Sequence, residues 1–151
     1  KFLMYDAETC NLNLIWDKNV PWEWAWILCT ADEIIEQKSY LVQWPEINVS
    51  HEAAIKTGFY AKRPRIPIEG KPPEFVLAEL DKVLYDPDVI PVAHNGLGFD
   101  VYIHKIHRKL VGQKPDFSYL PRFIDTNCLS KALKLNLQAL QITQEELNRK
   151  G

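Results

Sequence analysis

Asp6 and Glu8 stand with only Ala7 between them, at the end of the apolar run "KFLMY". Side chains two apart on a strand point the same way, so both carboxylates face one spot. Like charges held together repel, and a divalent cation between them would relieve that repulsion. Carboxylate oxygens suit Mg2+ or Mn2+ rather than softer metals. The plainer reading is a strand end that reaches solvent with both acids hydrated. A third acid, Asp100, closes the stretch "VAHNGLGFD" and sits in the first turn of a helix, where the helix dipole alone also favours it. Asn95 in that stretch reads as a turn residue. Phe99 joins an apolar row with Ile103, Ile106 and Leu110. A fourth acid, Asp125, precedes Thr126 and a helical run, so an N-cap is its simplest role.

The elements that must position these residues follow an α/β order. Residues 2–6 read as a strand. In "WEWAWILCT", Trp22, Trp24, Trp26 and Leu28 alternate with Glu23, Ala25 and Ile27, a period of two that predicts a second strand. "ADEIIEQKSYLVQW" gives a turn and a third strand, and the short connections favour an antiparallel meander. Ser50 is placed to cap a short helix that Gly58 ends. "FYAKRPRIPIEGKPP" reads as a proline-rich basic connection. "PPEFVLAELDKVLYD" predicts a helix whose apolar stripe is Phe75, Leu77, Leu80, Val83 and Leu84. A fourth strand in "PDVIPVAHN", a helix from "GFDVYIHKIHRKL", and a short strand entering a helix in "PRFIDTNCLSKAL" complete the order. Such an order suits a mixed sheet flanked by helices, with its site at the carboxyl ends of the strands.

Composition narrows the classes. A chain of 151 residues reads as a single domain spanning 1–151. The net charge of −2 supplies no global positive field, so a nucleic-acid partner must be held locally. No apolar stretch is long enough to predict a membrane span. The 3 cysteines, without a C-x-x-C pair, fit free thiols in a reducing compartment, and we expect a cytoplasmic protein. The chain opens on Lys1 and stops in a polar tail, and reads as incomplete at its C-terminal end.

"YDAET", "AHNGLGFD" and "FIDTNCLSKAL", in that order, resemble the motifs of the DEDD (DnaQ-like) 3′–5′ exonucleases. The resemblance covers about residues 2–135. It implies a ribonuclease H-like fold: a three-strand antiparallel meander plus parallel strands, flanked by helices. It also implies Asp6, Glu8 and Asp100 as metal-ligating catalytic carboxylates for two Mg2+ or Mn2+ ions, which in such sites lie about 3.5–4 Å apart. The substrate it implies is the 3′ end of single-stranded DNA or RNA, cut to nucleoside monophosphates. Thr9, His94, Asn95 and Phe99 become substrate-binding residues, with core packing an equal alternative for Phe99. Asp125 becomes a structural residue supporting the ligands. A stand-alone enzyme and the proofreading domain of a polymerase both stay open.

The sequence departs from that family at its last motif, H-x-x-x-x-D or Y-x-x-x-D, which supplies the proton acceptor and a fourth carboxylate. "LKLNLQALQITQEELNRKG" holds no histidine, tyrosine or aspartate. We therefore expect weak or no hydrolysis from this chain, and the alternative reading is a nuclease fold acting as a nucleic-acid-binding or interaction module. Asn11 stands where members of that family often carry glycine and is expected in a left-handed turn. Asp100, His104 and His107 share a helical spacing that zinc could use, but a solvated polar face explains the histidines more simply. Lys62, Arg63, Arg65 and Lys71 beside Phe59 and Tyr60 form a conceivable stacking platform for single strands, with a solvated loop the simpler reading.

Overall fold

The computed structural model describes residues 1–15 and 18–135; the tail from which the last motif is missing lies outside them. Alternation decides the first three elements. Strands β1 (Phe2–Thr9), β2 (Pro21–Cys29) and β3 (Ile34–Leu41) form an antiparallel meander. Strands β4 (Ile90–Ala93) and β5 (Ile124–Asp125) add to β1 in parallel, giving the order β3-β2-β1-β4-β5. This is the mixed, helix-flanked α/β sheet that the sequence order predicts. β1 runs three residues beyond its expected end, so Glu8 lies within the strand rather than after it.

One face of the sheet is closed. Leu3, Tyr5 and Ala7 of β1 and Trp24, Trp26 and Leu28 of β2 are buried. They pack against helices α4 (Pro73–Leu84) and α5 (Asp100–Leu110), once the short helices α1 (His51–Thr57), α2 (Phe59–Lys62) and α3 (Ile66–Glu69) have been passed in the chain. Burying a leucine such as Leu3 or Leu28 stabilises the fold by about 1.5–3 kcal/mol. Trp22, Cys10, Phe59 and Ile66 form a second, smaller core beneath α1 to α3. The last described helix, α6 (Thr126–Lys134), has no buried residue.

Several local expectations hold. The Ser50 hydroxyl accepts from the Ala53 N–H at the start of α1, and Gly58 ends that helix at φ 72°. Others are corrected. The proline-rich connection is not a loop: it forms α2, a 3-10 turn at Arg63–Arg65, and α3. In α4 Val76 is buried and Phe75 is 42% exposed, because the helix turns its stripe one residue toward the sheet. Leu110 leaves the apolar row of α5 and is exposed.

The histidines of α5 overturn the solvated-face reading. His104 and His107 are both buried. The His104 Nε2 lies 2.7 Å from an Asp81 carboxylate oxygen, and Asp81 also accepts from Arg108 at 2.7 Å. Trp24 donates its indole N–H to His107 Nδ1 at 3.1 Å, so His107 Nε2 carries the proton that it donates to the Pro73 carbonyl at 2.8 Å. Burial holds the His107 pKa down to about 4, so its ring is neutral. Among the described residues no helix is long and apolar enough to cross a membrane.

Candidate active site

Three of the acids meet around the end of β1. Asp6 and Glu8 project from its open face, Asp6 exposed and Glu8 half-buried. Asp100 arrives from the other side. It occupies the first turn of α5, is 2% exposed, and accepts the Ala7 N–H at 3.2 Å. That N–H is available because the ladder between β1 and β4 covers only Phe2–Met4 with Ile90–Val92. Asp100 thus takes a backbone donor that a longer β4 would have used.

The electrostatics record the crowding. Burial, then repulsion from Asp6 and Glu8, push Asp100 up to about 7, against the relief given by the Ala7 N–H. Burial also raises Asp6, assisted by Glu23. Glu8 is raised by burial, then by Asp6 and Glu23, with Lys62 pulling the other way. Among the described residues no group of three or more His, Cys, Asp or Glu side chains is placed so that it could hold a metal ion as it stands. The donor set is nonetheless all oxygen, negative and partly desolvated, which is the chemistry a hard divalent cation requires.

The second motif is held by Asp125. Its two carboxylate oxygens accept the N–H groups of Asn95 and Leu97 at 3.0 and 3.1 Å, and of Asn127 at 2.9 Å and Cys128 at 3.4 Å. Burial alone would raise its pKa, but these four donors hold it below the usual carboxylate range. Asp125 therefore caps α6 and clamps the loop 94–99 in one act. Asn95 in that loop adopts φ 56°, the left-handed conformation expected instead at Asn11. Asn11 is free of that need because its side chain accepts the Asn13 N–H, while its own N–H bonds the Asn19 side chain. Gly96 is required by contact: a Cβ there would lie 2.5 Å from the Phe123 ring and 2.7 Å from the Ala93 Cβ.

The remaining sequence candidates fall in different surroundings. His94 is exposed, with Nδ1 3.0 Å from the Thr126 hydroxyl. Phe99 is half-buried against the main core. Thr9 is buried, and its hydroxyl donates to the Asn11 carbonyl at 2.8 Å. The open face of the sheet forms a groove of about 990 Å³ whose lining includes Met4, Asp6, Ala25, Ile27, His94 and Thr126. Part of the basic stretch is committed elsewhere. Lys62 binds both carboxylate oxygens of Glu23 at 2.7 and 2.8 Å, Arg65 pairs with Glu69, and Phe59 is buried. The pair Lys62–Glu23 is the local feature sequence reasoning missed. Cross-strand register sets Glu23 opposite Glu8, and α2 brings Lys62 to it.

The mixed sheet and its flanking helices define a ribonuclease H-like fold of the exonuclease type. The solved structures that share it include Escherichia coli exonuclease I. Its metal-free complex with ssDNA aligns with a TM-score of 0.74 at 16% identity, over 88% of this chain and 29% of that one. The zinc-ion-bound form of that complex gives 0.74 at 15%, over 95% and 32%. The product-bound structure of exonuclease I gives 0.74 at 16%, over 96% and 35%. The chain thus spans about a third of the length of these proteins. No protein family model and no curated protein matches the sequence.

Proposed function

We propose that the protein is a metal-dependent 3′–5′ exonuclease that hydrolyses the terminal phosphodiester of a single strand. The observation that carries the reading is the approach of Asp6, Glu8 and Asp100 from two elements, partly desolvated and mutually repelling, with Asp6 lining an open groove. The neighbouring exonuclease I structures, described as complexes with ssDNA and as a zinc-bound form, point the same way.

Asp6, Glu8 and Asp100 would hold Mg2+ or Mn2+. Bound there, two such ions supply the charge that activates water and stabilises the leaving oxygen in an in-line displacement. The chain's own residues do the rest. Asp100 joins α5 to β1 through the Ala7 N–H, so the carboxylates keep their relative places. Asp125 fixes the loop that carries His94 and Asn95. The groove offers apolar surface from Met4, Ala25 and Ile27 for the sugar and base of a terminal nucleotide. An acidic site binds a polyanion in this way through the cations between them.

The test is Mn2+ binding by calorimetry together with release of mononucleotides from a single strand labelled at its 3′ end. Both should be lost in Asp6→Ala. Retained Mn2+ affinity in that variant would remove the reading. Tight strand binding without hydrolysis favours the second reading, a binding module. The motif that brings a proton acceptor in the resembling family is missing from the tail, which gives that reading its weight.

A further inference from the structure

Hydrolysis needs a group to take the proton of the attacking water, and the structure offers one in the groove itself. Met4 of β1 pairs in parallel with Val92 of β4. Two residues further along each chain direction come Asp6 and His94, and two residues restore the same side of a sheet. Both line the open groove. His94 is the first residue past the end of β4, so its backbone is released from the ladder while it lines the same groove as Asp6.

The ring is also oriented. Its Nδ1 meets the Thr126 hydroxyl at 3.0 Å, and Thr126 opens α6 directly after the clamped Asp125. With Nδ1–H donating to that hydroxyl, Nε2 keeps its lone pair. Among the described residues Nε2 has no hydrogen-bond partner. The other imidazoles are occupied elsewhere: His104 on Asp81, His107 between Trp24 and Pro73, His51 on Tyr60.

We propose that His94 is the proton acceptor of the hydrolytic step, an inference that rests on the exonuclease reading above. Water oxygen forms a bond to the phosphorus of the terminal phosphodiester, and its proton passes to His94 Nε2. The bond from phosphorus to the 3′-oxygen of the shortened strand breaks with its electron pair on that oxygen, which takes a proton from solvent. A nucleoside 5′-monophosphate leaves, and His94 returns its proton to water. Thr126 is then a positioning residue, acting through the ring. The chain is on this account competent to hydrolyse, contrary to the expectation drawn from its tail.

The experiment uses the chain 1–151 with Mn2+ and a 3′-labelled single strand, and measures strand binding separately with Ca2+ in place of Mn2+. His94→Ala should lower the hydrolytic rate by about 100-fold or more, the usual scale of a general base, with strand affinity in Ca2+ unchanged. Added imidazole should restore part of the rate in His94→Ala and none in Asp6→Ala. Thr126→Val should lower the rate less than His94→Ala, again without loss of strand affinity. An undiminished rate in His94→Ala, no rescue by imidazole, or a parallel loss of strand affinity would each overturn the proposal. So would a wild-type chain that binds Mn2+ through Asp6 yet does not hydrolyse, and in that case the metal-site reading survives. Mn2+ binding indifferent to Asp6→Ala removes the exonuclease reading itself, and the proposal with it.

Discussion

The two faces of this sheet are built from the same strands and behave as opposites. On the covered face, Trp24 and Trp26 are buried, and the histidines of α5 have hydrogen-bonded partners in the core. On the open face, Asp6 and Glu8 repel each other and Asp100, which reaches β1 from α5, with only Lys62 acting against the repulsion on Glu8. Residues one apart therefore do opposite work: Tyr5 and Ala7 stabilise the core, while Asp6 and Glu8 strain it electrostatically. Alternation allows this because each strand position contributes to one face alone. The core can then tolerate a destabilising cluster on its other side without changing its own packing.

The largest effect expected from breaking the open face is on metal. Asp100→Asn should reduce Mn2+ affinity by more than the about 10–100-fold typical of losing a residue behind the ligands, as calorimetry would show. The same substitution should stabilise the metal-free protein at neutral pH and above, since it removes a buried carboxylate that its neighbours repel. A lower Tm in Asp100→Asn under chelation would count against the crowding described above.

The two faces should next separate by pH. His107 titrates at about 4 in the fold and near 6.5 when unfolded. The unfolded chain binds more protons between those values, so stability from His107 falls as pH drops through that window, by about 3 kcal/mol in all. Asp100, raised to about 7, binds more protons when folded, so its contribution falls as pH rises from about 4 to 7. The two oppose each other in the wild type. Urea unfolding of metal-free Asp100→Asn across that range should show the acid limb of His107 uncovered, and equal slopes in both proteins would contradict the assignment.

Smaller effects test the supports. Gly96→Ala should destabilise by about 1–3 kcal/mol through overpacking against Phe123 and Ala93, seen in denaturant midpoints. Smallest of all, Lys56→Ala should change stability by less than about 0.5 kcal/mol, because the pair with Glu52 is solvent-exposed. A loss of more than that in the same measurement would show a role for α1 beyond the helix surface.

Much of this was readable in advance, for physical reasons. The period of two in β2 could only be a sheet with one apolar face, and Ser50 with Gly58 marked both ends of α1. The proline-rich segment reads as a connection because proline lacks the N–H that a helix interior needs. Here Pro64 and Pro67 sit at the first positions of successive helical turns, where the missing N–H is no loss. His104 and His107 misled because a polar residue type suggests solvent, and their partners Asp81, Pro73 and Trp24 come from distant segments.

The sequence by itself determined the alternation of the strands, the capped helices and the presence of acids at spacings that suit a shared cation. Those properties depend on near neighbours along the chain. Only the tertiary structure decided that Asp100 reaches the Ala7 N–H where β4 stops pairing, and that Asp125 clamps the second motif with four backbone donors. It also decided that His94 and Asp6 line one groove, by setting β4 parallel to β1 in a register that no local pattern contains. Register and strand length are set by packing across the whole sheet, and the site's geometry follows from them.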